Sequence, residues 1–292
     1  MLAVLDRFAN FLKHSERSPL TIKNYLGDLR AFARWFTDTN SEQKFDPAKI
    51  TPTDLREYKQ WLVVEQGLRP SSTNRKLATL RAFLHWASDV GLVKNADALK
   101  MPKFESQERS GPRWLDRREQ NTLLRAVERG GIPRDIAIVK LLLNTGLRVE
   151  ELCALTWKDV ALTERSGRLT VRRGKGGKRR TVPLNRDARN ALLLIGYKQN
   201  AGRRSPIFSG QRGPLTARGL QNLFAKYAER AKLAVSPHSL RHTFCKNLVN
   251  AGVSLEKIAA LAGHESLETT RRYTEPSLKD LEKAVELIGE EE

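Results

Sequence analysis

Along the first hundred residues, apolar side chains recur at three- and four-residue intervals, the spacing that gives a helix one buried face. Leu2, Leu5, Phe8 and Leu12 make the first such stripe. A second helix opens at Ser18-Pro19, where serine can cap the first turn and proline fits its first position. Ile22, Tyr25, Leu26, Leu29, Phe32, Ala33 and Phe36 line it. Thr51-Pro52-Thr53-Asp54 repeats the signal with an acid three places after the cap, and leads into Leu55, Tyr58 and Leu62. A further start is expected at Ser71-Ser72. From there Leu77, Leu80, Leu84 and Ala87 share one face, Asn74, Arg75, Lys76 and Arg81 lie on others, and Gly91 stops the helix.

Between 101 and 113 the periodicity disappears into proline, serine, glycine and charge, the composition of a linker. A helical domain over 1–101, a linker over 102–113 and a second domain over 114–292 are therefore expected. In the second domain, helices are predicted over 116–129 and 133–144, the latter ended by Thr145-Gly146. The period then changes to two: 168–173 alternates through Leu169 and Val171, and 180–184 through Val182, with Gly174-Lys175-Gly176-Gly177-Lys178 as a hairpin tip. After Asp187 the pattern is helical to the end. The expected class is mainly α, an all-helical N-terminal domain followed by an α-rich domain with a small antiparallel sheet.

Charge adds a partner to this picture. The 292 residues carry 52 lysines and arginines against 33 acids, a net charge of +19, which points to a polyanion and to nucleic acid first. No apolar run approaches a membrane span, and Asp6 and Arg7 interrupt any signal-peptide core. Cys153 and Cys245 each sit inside an apolar helical pattern, so neither a disulfide framework nor a zinc module is expected, and a reducing cytoplasm fits.

The densest basic tract runs from Arg165 to Arg180, through Arg168, Arg172, Arg173, Lys175, Lys178 and Arg179, with no acid inside it. Such crowding repels unless a polyanion screens it, and a lysine at a glycine-flanked tip, Lys175, can approach a phosphate closely. Ser236-Pro237 starts a helix carrying His238, Arg241 and His242 at i, i+3 and i+4, where helix N–H groups and a guanidinium fork both favour an anion. Paired histidines at i and i+4 also suit a metal, but Ser239 stands where a metalloprotease needs glutamate. Arg148 follows Thr145-Gly146-Leu147 at another helix start, His264 follows Gly263, and Tyr273 ends Arg271-Arg272-Tyr273. Taken singly, these admit ordinary roles: an ion pair of Arg148 with Glu150 or Glu151, a helix-end contact for His264, a half-buried aromatic for Tyr273.

Taken together they resemble the tyrosine recombinase (phage integrase) family, most closely its short Xer-like and integrase members, over almost the whole chain. The family's ordered signature is matched by Arg148 in TGLRVEEL, Lys175 in RGKGGKRR, His238 and Arg241 in SPHSLRHTF, His264 in LAGHESLETT and Tyr273 in RRYT. Ala262-Gly263-His264 stands where Leu-Gly-His is usual. The resemblance implies a core-binding domain followed by a catalytic domain, and a site-specific recombinase that cuts and rejoins double-stranded DNA through a 3′-phosphotyrosine. It makes Tyr273 the nucleophile, Arg148 and Arg241 the holders of the phosphoryl oxygens, His238 the general base, Lys175 the general acid and His264 a hydrogen-bond donor. No metal and no cofactor are expected.

DNA contact is expected from Asn74, Arg75, Lys76 and Arg81 in the first domain and from Arg172, Arg173, Lys178, Arg179 and Arg180 on the hairpin. The implied assembly is a homotetramer on paired recombination sites, acting in the cytoplasm at the nucleoid. The stripe Leu278, Leu281, Val285 and Ile288 would dock in trans on a neighbouring protomer, or else pack on its own domain. Rival readings are a type IB topoisomerase, a DNA-binding protein without catalysis and, weakest for want of an acidic cluster, a metal-dependent nuclease.

Overall fold

The computed structural model describes residues 2–15, 17–42, 44–93, 102, 112–172, 179–210, 212–264, 266–274, 281–282 and 285–286. The chain divides into two compact units, 1–109 and 110–292.

Among the described residues of the first unit are four α-helices: α1 (Leu2–His14), α2 (Pro19–Thr39), α3 (Pro52–Val64) and α4 (Pro70–Asp89). Their starts follow sequence chemistry. Ser18 Oγ accepts from Thr21 N, and Thr51 exchanges hydrogen bonds with Asp54 in a capping box, each satisfying donors that a helix start leaves open. The fourth helix departs from expectation. It begins at Pro70 rather than at Ser71-Ser72, with Arg69 as its extended N-cap and no side-chain cap, because proline's fixed φ already sets the first turn. The stripes meet in an aromatic core. Phe32 stands edge-on to Tyr58 with centroids 4.9 Å apart, and Phe8 edge-on to Phe83 at 5.4 Å, the arrangement that sets a positive ring edge against a negative face. One carboxylate enters beside this core: buried Asp28 accepts from Arg75, from Lys76 Nζ at 3.2 Å and from Thr79 Oγ1 at 3.2 Å.

The second unit is arranged around one buried helix. It opens with α5 (Arg117–Arg129), capped reciprocally by Asp116 and Glu119, and α6 (Pro133–Thr145). Ala137, Ile138, Val139, Leu141 and Leu142 of α6 are fully buried, so this helix is apolar on nearly all sides. A short helix follows, α7 (Val149–Cys153), then three antiparallel strands in the order β1-β2-β3: β1 (Val160–Leu162), β2 (Gly167–Val171) and β3 (Arg180–Pro183). Leu169 faces Val160 and Val182 across the sheet, and all three point into the core. The remaining elements are α8 (Arg186–Leu194), α9 (Tyr197–Asn200), the two-residue pair β4 (Ser209–Gly210) and β5 (Gly213–Pro214), α10 (Ala217–Ala231), α11 (Pro237–Asn250), α12 (Leu255–Ala262) and α13 (Leu267–Arg271).

Three of these elements depart from the sequence reading. β1 is a third strand, and β4 and β5 interrupt a stretch expected to be helical throughout. Strands of two or three residues are too short to show alternation, and their pairing is decided by distant partners. Tyr273 lies two residues past the end of α13 rather than on it. The hairpin tip at 173–178, with Arg173, Lys175 and Lys178, lies outside the described residues, as does most of the 276–288 stripe. No helix among the described residues is long and apolar enough to cross a membrane.

Candidate active site

The site starts from a turn that only glycine can make. α6 ends at Gly146 with φ +60°, and a Cβ there would lie 2.3 Å from the Phe244 ring. Both backbone and packing therefore require the bare residue. The turn buries Leu147 and delivers Arg148 as the N-cap of α7. There the Arg148 backbone N–H donates to Glu151 Oε2 at 2.8 Å, while its guanidinium donates to Glu151 Oε1 at 2.9 Å and to the Gly263 carbonyl at 2.6 Å.

Glu151 holds a second guanidinium. Arg180, at the start of β3, donates through Nη1 and Nη2 to the two carboxylate oxygens, both at 2.7 Å, and through Nε to the Leu261 carbonyl at 3.0 Å. Burial pushes the Glu151 carboxyl up, but the hydrogen bonds and charge of Arg180 and Arg148 outweigh it and hold the group below its ordinary 4.5. The sequence puts Arg180 on DNA with the rest of the hairpin. The structure instead spends its fork inside the protein, bridging α7 to the end of α12.

α11 supplies the opposite wall. Ser236 and Ser239 exchange capping hydrogen bonds around Pro237, fixing the helix start. Arg241 is buried and donates to the Gly146 carbonyl at 2.5 Å. Burial, then the neighbouring Arg148 and Arg180 charges, lower its pKa to about 10, which leaves it a cation at neutral pH. Arg148, Arg180 and Arg241 thus lie near Glu151, and the pocket keeps an excess of positive charge.

Tyr273 closes the site. It is 2% exposed, its carbonyl accepts from Lys246 Nζ at 3.2 Å, and its hydroxyl lies 2.6 Å from His242 Nδ1. The His264 ring stacks on it with centroids 6.1 Å apart, while His264 Nδ1 is 2.9 Å from Thr270 Oγ1. Burial, then the adjacent Cys245 thiol, raise the Tyr273 phenol well above its usual range. Burial and the charges of Arg241 and Arg148 lower His264 to about 4, so its ring is neutral.

The structure thus brings Arg148, Arg241, His264 and Tyr273 together. His238, expected on the phenol, is exposed at the first turn of α11, and the contact with Tyr273 belongs to His242 one turn later. The sequence offers Glu151 only as an ion-pair partner, although its position three residues after the arginine, facing back to the cap N–H, is the signal of a capping box. Of the residues expected on DNA, Arg172 pairs with Asp159, Arg75 and Lys76 pair with Asp28, Asn74 is half-buried, and Arg81 and Arg179 are exposed.

Two family models cover most of the chain: the phage integrase family over residues 113–279, and the phage integrase N-terminal SAM-like domain over 5–91. Tyrosine recombinase XerA of Thermococcus kodakarensis is 32% identical over 288 residues, covering 97% of this chain and 94% of that one. TnP I resolvase of Bacillus thuringiensis is 28% identical, covering 98% and 99%. Among solved structures, the Tn1549 transposon integrase in complex with circular intermediate DNA shares the fold, with a TM-score of 0.74 at 20% identity over 97% and 98% of the two chains. With its arginine pocket and buried tyrosine, the chain belongs to the phage integrase family of tyrosine recombinases, which carry out site-specific DNA cleavage and rejoining.

Proposed function

We propose that Tyr273 is the nucleophile of this recombinase, forming a 3′-phosphotyrosine link and releasing a 5′-hydroxyl, and that Arg148 and Arg241 hold the phosphoryl oxygens. The observation that carries this reading is a buried tyrosine hydroxyl in the same pocket as two guanidiniums held by one carboxylate and a third, Arg241, beside them. Attack by the phenol concentrates negative charge on the non-bridging oxygens, and preorganised guanidiniums stabilise it most where water is excluded. Arg180 holds Glu151 and, through it, Arg148. His264 donates to the phosphoryl group. His238, at the N-terminal turn of α11 where N–H groups favour an anion, shares the phosphate in this reading rather than the phenol. Lys175 protonates the departing 5′-oxygen. The energy of the broken phosphoester is kept in the covalent link, so rejoining needs no nucleotide.

The partners in this reading are paired double-stranded DNA sites held by four protomers, in the cytoplasm at the nucleoid. Leu281 and Val285 support it: they are 48% and 64% exposed, as expected of a stripe that docks on a neighbour. A nicked suicide substrate tests both statements. Tyr273→Phe should bind its site within about twofold of the parent, since affinity rests on many phosphate contacts, and should form no covalent adduct on denaturing gels. Truncation after residue 275 should keep single-site binding and lose the paired-site complex. A covalent adduct in Tyr273→Phe would move the nucleophile elsewhere. Cutting and rejoining of unpaired, nonspecific duplex would favour a type IB topoisomerase.

A further inference from the structure

A short contact to the Tyr273 hydroxyl comes from a side chain given no role so far. His242 Nδ1 lies 2.6 Å from it, with ring centroids 5.6 Å apart and planes 45° apart, so the imidazole edge faces the hydroxyl. We propose that His242 is the general base of this chain: its Nδ1 takes the phenol proton as Tyr273 attacks and returns it when the strand is rejoined. This rests on Tyr273 being the nucleophile.

The proton transfer balances without another reagent. The phenol O–H bond breaks and an N–H bond forms on Nδ1, while the oxygen's electron pair makes the O–P bond. The P–O5′ pair leaves with the 5′-oxygen, which takes its proton from the general acid. In the rejoining step the incoming 5′-hydroxyl gives up its proton on that side, and His242 reprotonates the departing phenolate.

Geometry favours His242 over its neighbours. His238 sits a turn earlier and is exposed, while the phenol is buried. The Cys245 thiol also lies beside the phenol, but burial pushes it up to about 11, so it keeps its own proton at neutral pH. His264 presents its ring face, stacked nearly parallel to the tyrosine ring, with planes 10° apart.

The charges around His242 give the base a trigger. Burial first, then His238 and Arg241 on α11 and Arg272 after α13, lower its pKa to about 4 and keep it a neutral acceptor. A phosphodiester seated between the arginines brings negative charge that offsets this field and steadies the imidazolium. His242 becomes a competent base when DNA is in place, and the free protomer keeps its phenol protonated.

The test uses the full chain and single-turnover adduct formation on the nicked substrate. His242→Ala removes the base. His242→Asn puts an amide near the Nδ1 position, able to accept the phenol's hydrogen bond but unable to keep its proton. Both should bind the site normally and slow adduct formation by about 100-fold or more. Trifluorotyrosine at position 273 ionises without much help, so it should recover at least about tenfold of either loss. Adduct formation within about threefold of the parent in His242→Asn would reduce His242 to a clamp. A loss unchanged by the fluorinated tyrosine would overturn the proposal too. If Tyr273→Phe forms adduct, the nucleophile assignment itself fails; if it forms none while the His242 variants react at full rate, only the general base is wrong.

Discussion

Each unit of this protein holds two cations on one buried carboxylate, and the two devices differ in what lies above them. In the first unit Asp28 takes Arg75 and Lys76 from α4, but the Arg75 side chain is 50% exposed, so water shares the charge. In the second unit Glu151 takes Arg148 and Arg180, whose side chains are 21% and 12% exposed, and Arg241 adds a third guanidinium beside them. The first arrangement anchors a helix to its neighbour. The second sets three guanidiniums near one carboxylate, a local excess of positive charge. Depth, rather than residue type, distinguishes the two: Asp28 keeps one half-exposed arginine, while both guanidiniums on Glu151 are mostly covered and a third, buried one lies beside them.

The sharpest way to break this comparison is to remove both carboxylates. Glu151→Gln should destabilise the chain by ~3–5 kcal/mol, as for other broken buried pairs, and abolish adduct formation because Arg148 loses its seat. Asp28→Asn should cost ~1–3 kcal/mol, since Arg75 can turn to water, and should leave cleavage on bound DNA intact. Denaturant melts and suicide-substrate cleavage decide it, and equal effects would mean depth is irrelevant. Acid sharpens the contrast. The folded Glu151 is held below its ordinary 4.5, so its contribution is fully present above that value and is lost as pH falls through the lower folded-state pKa. Parent and Glu151→Gln should therefore converge in stability only once the pH has fallen below the folded-state pKa.

Glycine turns extend the comparison at smaller scale. Gly91 has φ +73° with nothing within 4 Å of an added Cβ, while Gly146 has φ +60° and would strike Phe244. Gly91→Ala should cost ~1 kcal/mol from backbone strain alone, and Gly146→Ala ~2–4 kcal/mol once overpacking is added. Only the second should slow cleavage, and thermal melts with adduct assays would check both.

The smallest effects belong to α4 itself. Arg75→Ala and Lys76→Ala should each cost less than ~1 kcal/mol of stability. Their affinities for the recombination site and for random duplex, measured at one salt concentration, separate two modes of contact. A loss on the specific site alone marks base reading, and an equal loss on both marks phosphate contact.

Much of this was legible because the signals are local. The capping pairs Thr51/Asp54 and Asp116/Glu119 act within four residues, and the α6 stripe ending in Gly146 is written in one segment. What escaped depends on distant chain. Spacing places His238 and His242 on one face of α11, but only the arrival of Tyr273, 31 residues on, selects the second. Arg180 reads as one more charge of the hairpin until α7 and α12 come to either side of it. β1 is defined by its partner β2 rather than by its own three residues.

Arg241 rests on the carbonyl of Gly146, and Arg148 on the carbonyl of Gly263. A carbonyl oxygen belongs to the path of the chain and not to the identity of any side chain. The side chains beside these turns can therefore change without moving either guanidinium, provided Gly146 and Gly263 stay glycine, since a Cβ would strike Phe244 at the first and Arg180 at the second. Inserting or deleting one residue in either turn carries the oxygen away and the arginine with it. The seats of both arginines thus depend on the length of two turns and on the glycine at each, rather than on the side chains beside them.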